Sequence, residues 1–330
     1  MALQPLAVAL GDPAGIGPEI VARAWTARAL HALPPFFAIG DLRAIRAVWD
    51  GPVEVLSAPA DAAAAFGRAL PLVQVDDPGE IVPGDPNLAG ARCALDSLEI
   101  AVGLARAGTA GGVVTGPVSK AQLYAIGFSH PGQTEFIAER CGIAPSNAVM
   151  MLAGPSLRTV PVTIHVPLAD VPAQLTTELI VARARVVARS LQRDFGIAEP
   201  RLAVAGLNPH AGESGMLGRE EIDIIAPAVE LLRAEGMKIT GPLSADTMFH
   251  ATARAQFDVA LCMYHDQALI PLKTVHFDDG VNVTLGLPIV RTSPDHGTAF
   301  GIAGTGQAQP DAMIAAIRMA GDCAARRSMT

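Results

Sequence analysis

The chain has 330 residues, half of them hydrophobic, only 4% aromatic, with a formal net charge of −8. That acidic balance, with no long basic run, argues against a nucleic-acid surface. No apolar stretch of ~18 residues runs free of charges and breakers, which excludes a membrane-spanning helix.

In chain order, Pro5–Leu10 predicts a strand, and GDPAGIGPE turns it into a helix running to about Leu30. Pro18 and Glu19 suit a first helical turn, where a missing N–H is harmless and negative charge is favoured. Pro35–Gly40 predicts a second strand, Ala94–Ala107 a helix, and Gly112–Thr115 a strand closed by Gly116-Pro117. Thr159–His165 reads as a strand and Thr177–Phe195 as a long amphipathic helix capped by Thr176 or Thr177. Arg201–Leu207 and Asp258–Met263 read as strands, Glu220–Glu235 and Pro310–Ala325 as helices. This alternation predicts an α/β protein with a mainly parallel sheet, and the Ala, Val, Leu and Ile that make up most of the apolar mass suit it. The opening MALQPLAVALGDP has no charged n-region and argues against a signal peptide. Cys93, Cys141, Cys262 and Cys323 form no CxxC and read as reduced intracellular thiols.

Three histidines share one kind of address. His165 closes TVPVTIH, His210 follows RLAVAGL, and His265 follows DVALCMY. Ligands of open α/β sheets bind at the carboxyl ends of strands, where three imidazoles can converge on a divalent metal. An ordinary loop or capping role is the usual fate of each taken singly, and no HExxH pair is present. Asn208, Glu213 and Asp266 stand beside these histidines as possible orienting groups. Asp246 in GPLSADT follows another strand-to-loop junction.

A second group is cationic and polar. Lys273 follows LIPL, Asn282 lies in GVNVTLGLP, and Arg291 follows LPIV, each beside strand-like sequence. Arg, Lys and an amide donor suit a phosphate or carboxylate. Lys120 and Thr115 in VVTGPVSK mark another strand end. The loop DHGTAFGIAGTGQAQPDA opens the final helix, and its glycines let backbone approach a ligand. It is neither a GxGxxG turn nor a P-loop, and GDPAGIGPE is neither.

Together GDPAGIGPE, VVTGPVSK, GQTEF, GLNPHAGE, GPLSADT, MYHDQ, GVNVTLGLPIVRTSPDHGTA and IAGTG resemble the 4-hydroxythreonine-4-phosphate dehydrogenase family of vitamin B6 biosynthesis. They span residues 11–306. The resemblance implies a two-lobed α/β/α fold like that of isocitrate and isopropylmalate dehydrogenases. It implies a cofactor lobe over 1–130 and 270–330, a metal, substrate and dimerisation lobe over 131–269, and a cytoplasmic homodimer with shared active sites. The implied metal ligands are His165, His210 and His265, one of them from the partner subunit, holding zinc, magnesium, cobalt or manganese. Implied substrate contacts are Thr134, Lys273, Asn282 and Arg291, with Gln133 where the family has histidine. NAD or NADP would use the loop carrying His296, Gly297, Thr298, Ala299, Gly301 and Gly304, and Lys120 or Asp246 would move protons.

The implied reaction oxidises 4-phosphohydroxy-L-threonine to a 3-keto acid, which decarboxylates to 3-amino-2-oxopropyl phosphate. Two departures stand out. GQTEF replaces the family's GHTEF, so Gln133 hydrogen-bonds without carrying charge, and His130 is the nearest imidazole to compensate. Gly301 stands where the wider superfamily has an acidic residue that selects NAD. Rival readings are a paralogue acting on 4-phospho-D-threonate, erythronate or a diol, a metal-dependent aldolase or hydrolase, and a non-catalytic anion-binding protein.

Overall fold

A computed structural model describes residues 3–75 and 79–329. The chain forms two compact units, Met1–Pro145 with Leu287–Thr330, and Ser146–Gly286. The divisions fall later than the expected 130 and 269. The helix Gln133–Arg140 is bound into the first unit by Arg140 Nε donating to Glu99 Oε1 at 2.7 Å and Gln133 Nε2 donating to the Gly116 carbonyl. The strand following His276 pairs inside the second unit.

In chain order the strands are β1 Leu6–Ala9, β2 Phe36–Gly40, β3 Val53–Val55, β4 Leu70–Gln74 and β5 Val113–Thr115 in the first unit. The second holds β6 Val149–Gly154, β7 Leu157–Pro161, β8 Arg201–Ala205, β9 Lys238–Leu243, β10 Val259–Cys262 and β11 Val281–Leu285, and β12 Arg291–Pro294 returns to the first. In the first unit the order β3-β4-β2-β1-β5-β12 is wholly parallel. Leu6, Ala7 and Val8 are fully buried, as a parallel strand covered on both faces requires. The helix Asp311–Arg327 lies against β12 and β5. The helix Leu88–Arg106 begins six residues before the expected Ala94, because Asn87 Oδ1 accepts from the Gly90 N–H at 2.7 Å. The first helix, Gly17–Thr26, stops short of Leu30, and the turn beyond it passes through Ala32 at φ 49°.

The second unit has the order β11-β6-β7-β10-β8-β9, antiparallel at β11/β6 and β6/β7 and parallel beyond. Leu152, Leu157, Ala203, Cys262, Leu269 and Leu272 build its core. Each fully buried aliphatic side chain contributes roughly 1.5–3 kcal/mol. The helix Thr177–Phe195 starts at Thr176, whose Oγ1 accepts from the Leu179 N–H at 3.1 Å, and ends at left-handed Gly196, φ 68°. The segment expected as one helix over 220–235 opens instead with a π-helical turn, Glu221–Ile225, before the regular helix Ala226–Ala234. β7 ends at Pro161, although backbone pairing persists as far as Thr163 N–H to the Met263 carbonyl, 3.3 Å.

Candidate active site

In the first unit the polar centre is Arg291. It is the first residue of β12, only 4% exposed, and set in register beside Val113 of β5. Its Nη2 donates to Thr115 Oγ1 at 2.8 Å and to Gln133 Oε1 at 3.3 Å, while Gln133 Nε2 donates to the Gly116 carbonyl at 3.3 Å. Gln133 and Thr134 open the helix Gln133–Arg140 behind Gly132. A Cβ on Gly132 would lie 3.3 Å from Glu135 Oε2 and 4.0 Å from Lys120 Nζ, so the missing side chain leaves room beside an acid and an amine. Burial pushes Arg291 down to about 10, with Glu135 opposing the shift, so it stays charged at neutral pH. A fixed guanidinium beside a helix N-terminus is a grip for an anion. Lys120 is the exposed first residue of the short helix Lys120–Ala125.

His130 does not stand in for the missing histidine. Its Nε2 hydrogen-bonds Glu139 Oε2 at 2.9 Å, and its ring packs against Phe128 and Phe136, with centroids 5.1 and 5.4 Å away.

The glycine-rich loop rests on the chain's opening segment. Ile16 N–H donates to the Thr298 carbonyl at 3.0 Å, and Gly304 N–H donates to Glu19 Oε2 at 3.2 Å. Ala14 N–H is taken by buried Asp12, whose pKa burial raises against that same hydrogen bond. With these donors engaged, GDPAGIGPE is a support for the loop rather than a phosphate cradle. A Cβ on Gly297 or Gly301 would meet nothing within 4 Å, and Ala299 adopts φ 45°, so backbone there is open to a ligand. His296 Nδ1 hydrogen-bonds the Gly297 carbonyl at 3.1 Å. The final helix begins only at Asp311, with that acid in its first turn.

In the second unit two of the three histidines meet. The rings of His165 and His265 lie 5.6 Å apart, tilted by 41°, at a cavity of about 220 Å³ also lined by Thr163, Val171 and Tyr264. His265 opens the helix His265–Val275. Its Nδ1 lies 2.7 Å from Asp266 Oδ1, and since a carboxylate only accepts, the ring proton sits on Nδ1 and the Nε2 lone pair is left for a cation. His165 does not close its strand. It lies four residues past β7 in a bend at φ 54°, a left-handed conformation that turns the chain out of the sheet direction.

His210 does not join them. Among the described residues of one chain no three His, Cys, Asp or Glu side chains form a metal-sized group. His210 begins a left-handed turn in which His210, Ala211, Gly212, Glu213 and Ser214 have φ between 43° and 81°. Each non-glycine residue there costs roughly 1–2 kcal/mol. Asp246 lies in the field of His210. Its pKa is lowered chiefly by the Ser244 hydroxyl, 2.6 Å from Oδ1, and further by that imidazole. The chemistry and closeness of the His165 and His265 rings suit two imidazole donors to a divalent cation.

Lys273 is helical, not strand-adjacent. Ile270-Pro271-Leu272 continues the helix His265–Val275 despite Pro271, and Lys273 borders a shallow depression of about 400 Å³ with Asp266 and Thr274. Asn282 on β11 carries a buried Oδ1 with no hydrogen-bond partner, an amide that a ligand donor can satisfy. Of the residues that sequence reasoning did not single out, Glu135 and Glu221 matter most.

The comparisons with known proteins agree in one direction. The chain is 58% identical over 325 residues, 98% of this chain and 97% of the other, to a 4-hydroxythreonine-4-phosphate dehydrogenase of Zymomonas mobilis subsp. mobilis. It is 58% identical over 330 residues, 98% of each chain, to one of Erythrobacter litoralis. A crystal structure of 4-hydroxythreonine-4-phosphate dehydrogenase from Klebsiella pneumoniae matches with TM-score 0.87 and 36% identity, covering 98% of each chain. The family described as pyridoxal phosphate biosynthetic protein PdxA matches residues 34–320, and the chain belongs to that family.

Proposed function

We propose that this protein is an NAD(P)-dependent, divalent-metal-dependent dehydrogenase that oxidises 4-phosphohydroxy-L-threonine to a 3-keto acid, which loses CO2 to give 3-amino-2-oxopropyl phosphate. Identity of 58% along 98% of the chain to a protein named 4-hydroxythreonine-4-phosphate dehydrogenase carries the reading. The buried, hydrogen-bonded Arg291 agrees with it, because a phosphorylated substrate needs a fixed cation.

When bound, a nicotinamide supplies the hydride acceptor, and a divalent cation lowers the pKa of the reacting hydroxyl and stabilises enolate charge. His165 and His265 would hold the cation through their ring nitrogens, with His210 supplied by a second copy of the chain. Asp266 keeps His265 in the tautomer that can ligate. Arg291, Gln133 and Thr134 would bind the anionic group, which fixes the carbon that reacts. Lys273 and Asn282 are the second unit's substrate contacts, and the unpartnered Asn282 Oδ1 supports that role. The loop His296, Gly297, Thr298, Ala299, Gly301 and Gly304 would carry the cofactor on its open backbone. Lys120 and Asp246 are the two candidates to move protons, Asp246 being held below the usual carboxylate range chiefly by the Ser244 hydroxyl.

Exposed apolar side chains in the second unit, Leu168, Ile270, Val275 and Phe277, support a homodimer, and four free thiols support a cytoplasmic setting. The test is a cofactor-reduction assay with NAD and NADP on 4-phosphohydroxy-L-threonine and 4-phospho-D-threonate, with and without chelator. Nicotinamide reduction on the threonine phosphate is expected, abolished by chelator and restored by divalent metal. Faster reduction on the threonate would make it a paralogue. Turnover without cofactor would make it an aldolase or hydrolase.

A further inference from the structure

The turn presenting His210 cannot hold itself. Five successive residues, His210 to Ser214, lie in the left-handed region, and four of them are not glycine. Backbone of that kind persists only where its surroundings over-determine it. Here the determinant is a carboxylate eleven positions on in the chain. Glu221 is 3% exposed. Its Oε1 accepts from the backbone N–H groups of Leu207 and Asn208, both at 2.7 Å, and its Oε2 accepts from Asn208 Nδ2 at 3.0 Å. These donors lie immediately before the turn.

The carboxylate also fills the hollow of the turn. A Cβ on Gly212 would stand 2.6 Å from Glu221 Oε2, and one on Gly206 would stand 3.0 Å from Oε1. Asn208 is held from a second side by Glu220 Oε2 at 2.7 Å, and a Cβ on Gly218 would press to 2.3 Å of its Nδ2. Glu221 is the first residue of the π-helical turn Glu221–Ile225, an irregularity that recurs at functional sites.

The geometry points to Glu221 as a positioning residue that, through this turn, fixes where His210 stands for the reaction. It touches no ligand itself. The inference rests on the reading of His210 as a metal donor, and the experiment separates the two. Full-length Glu221→Ala, Glu221→Gln, Gly212→Ala and His210→Ala are compared with the parent by cobalt(II) titration, amide hydrogen exchange and steady-state kinetics.

Glu221→Ala is expected to weaken cobalt binding by roughly 10–100-fold, the range for residues that orient a ligand. Exchange should quicken over 207–215 while the segments carrying His165 and His265 keep their protection. kcat should fall with KM for the nicotinamide unchanged. Glu221→Gln keeps an oxygen for both backbone N–H groups but loses the acceptor for Asn208 Nδ2, so its affinity should fall between that of the parent and that of Glu221→Ala. Gly212→Ala attacks the same contact from the other side and should reproduce the loss, which decides the matter if Glu221→Ala does not fold. Unchanged exchange over 207–215 in folded Glu221→Ala or Gly212→Ala overturns the proposal. If His210→Ala binds cobalt like the parent, the metal reading fails, and exchange and kcat still decide the positioning role.

Discussion

Arg291 and His265 each begin an element, yet Arg291 is 4% exposed while His265 keeps a third of its side chain, 33%, open. Around Arg291 the protein supplies partners on its own: Thr115, Gln133 and, through Gln133, the Gly116 carbonyl. Around the histidines it supplies one oriented ring, a bend at φ 54° and a left-handed turn. The first region is finished before any ligand arrives. The second holds His165 and His210 on strained backbone and, on the proposed reading, is finished by what binds. Substitutions in the first should therefore change affinity and its pH dependence, and those in the second should change turnover.

The sharpest way to break that contrast is His265→Ala. Loss of a metal donor should lower kcat/KM on the order of 10²–10³-fold, read by nicotinamide absorbance, with the fold intact by circular dichroism. A change confined to KM would erase the distinction. A finer test is Gln133→His. Arg291, pushed by burial to about 10, is protonated throughout the neutral range and loses its charge only above that value, and Gln133 does not titrate. An imidazole there adds positive charge at low pH and loses it near ~6.5. The ratio of the variant's KM to the parent's should thus rise between about pH 6 and about pH 8, cancelling the substrate's own ionisation. A flat ratio would place Gln133 away from the anion.

The smallest effect is expected from His276, which serves neither region. Its Nε2 meets Ser156 Oγ at 2.8 Å and its Nδ1 meets Asp279 Oδ1 at 3.1 Å, and a Cβ on Gly154 would strike the ring at 2.4 Å. It pins the β6–β7 hairpin to the end of the helix His265–Val275. His276→Ala should lower stability by about 1–3 kcal/mol in thermal or urea unfolding and leave turnover unchanged.

Much of this layout is legible in the sequence. Apolar runs ending in GLNPHAGE and MYHDQ put His210 and His265 just past β8 and β10. Thr176 announces the helix Thr177–Phe195, and Gly196 closes it. What escapes is nonlocal. Arg291 and Gln133 are 158 residues apart, so no window of sequence shows that they share a hydrogen bond. Ala211, Glu213 and Ser214 carry no mark of a left-handed backbone, because their conformation is imposed by a carboxylate outside the turn. The LIPL run before Lys273 reads as strand-like, yet tertiary packing of Leu269 and Leu272 keeps it helical.

The split of the first unit around the second has a consequence for synthesis. Ser146–Gly286 is one uninterrupted stretch, so a growing chain can finish it while the first unit still lacks β12 and the helix Asp311–Arg327 that packs on that strand. Until β12 leaves the ribosome, the edge of β5 is bare and Thr115 waits for its guanidinium. The first unit is begun before the second and completed after it.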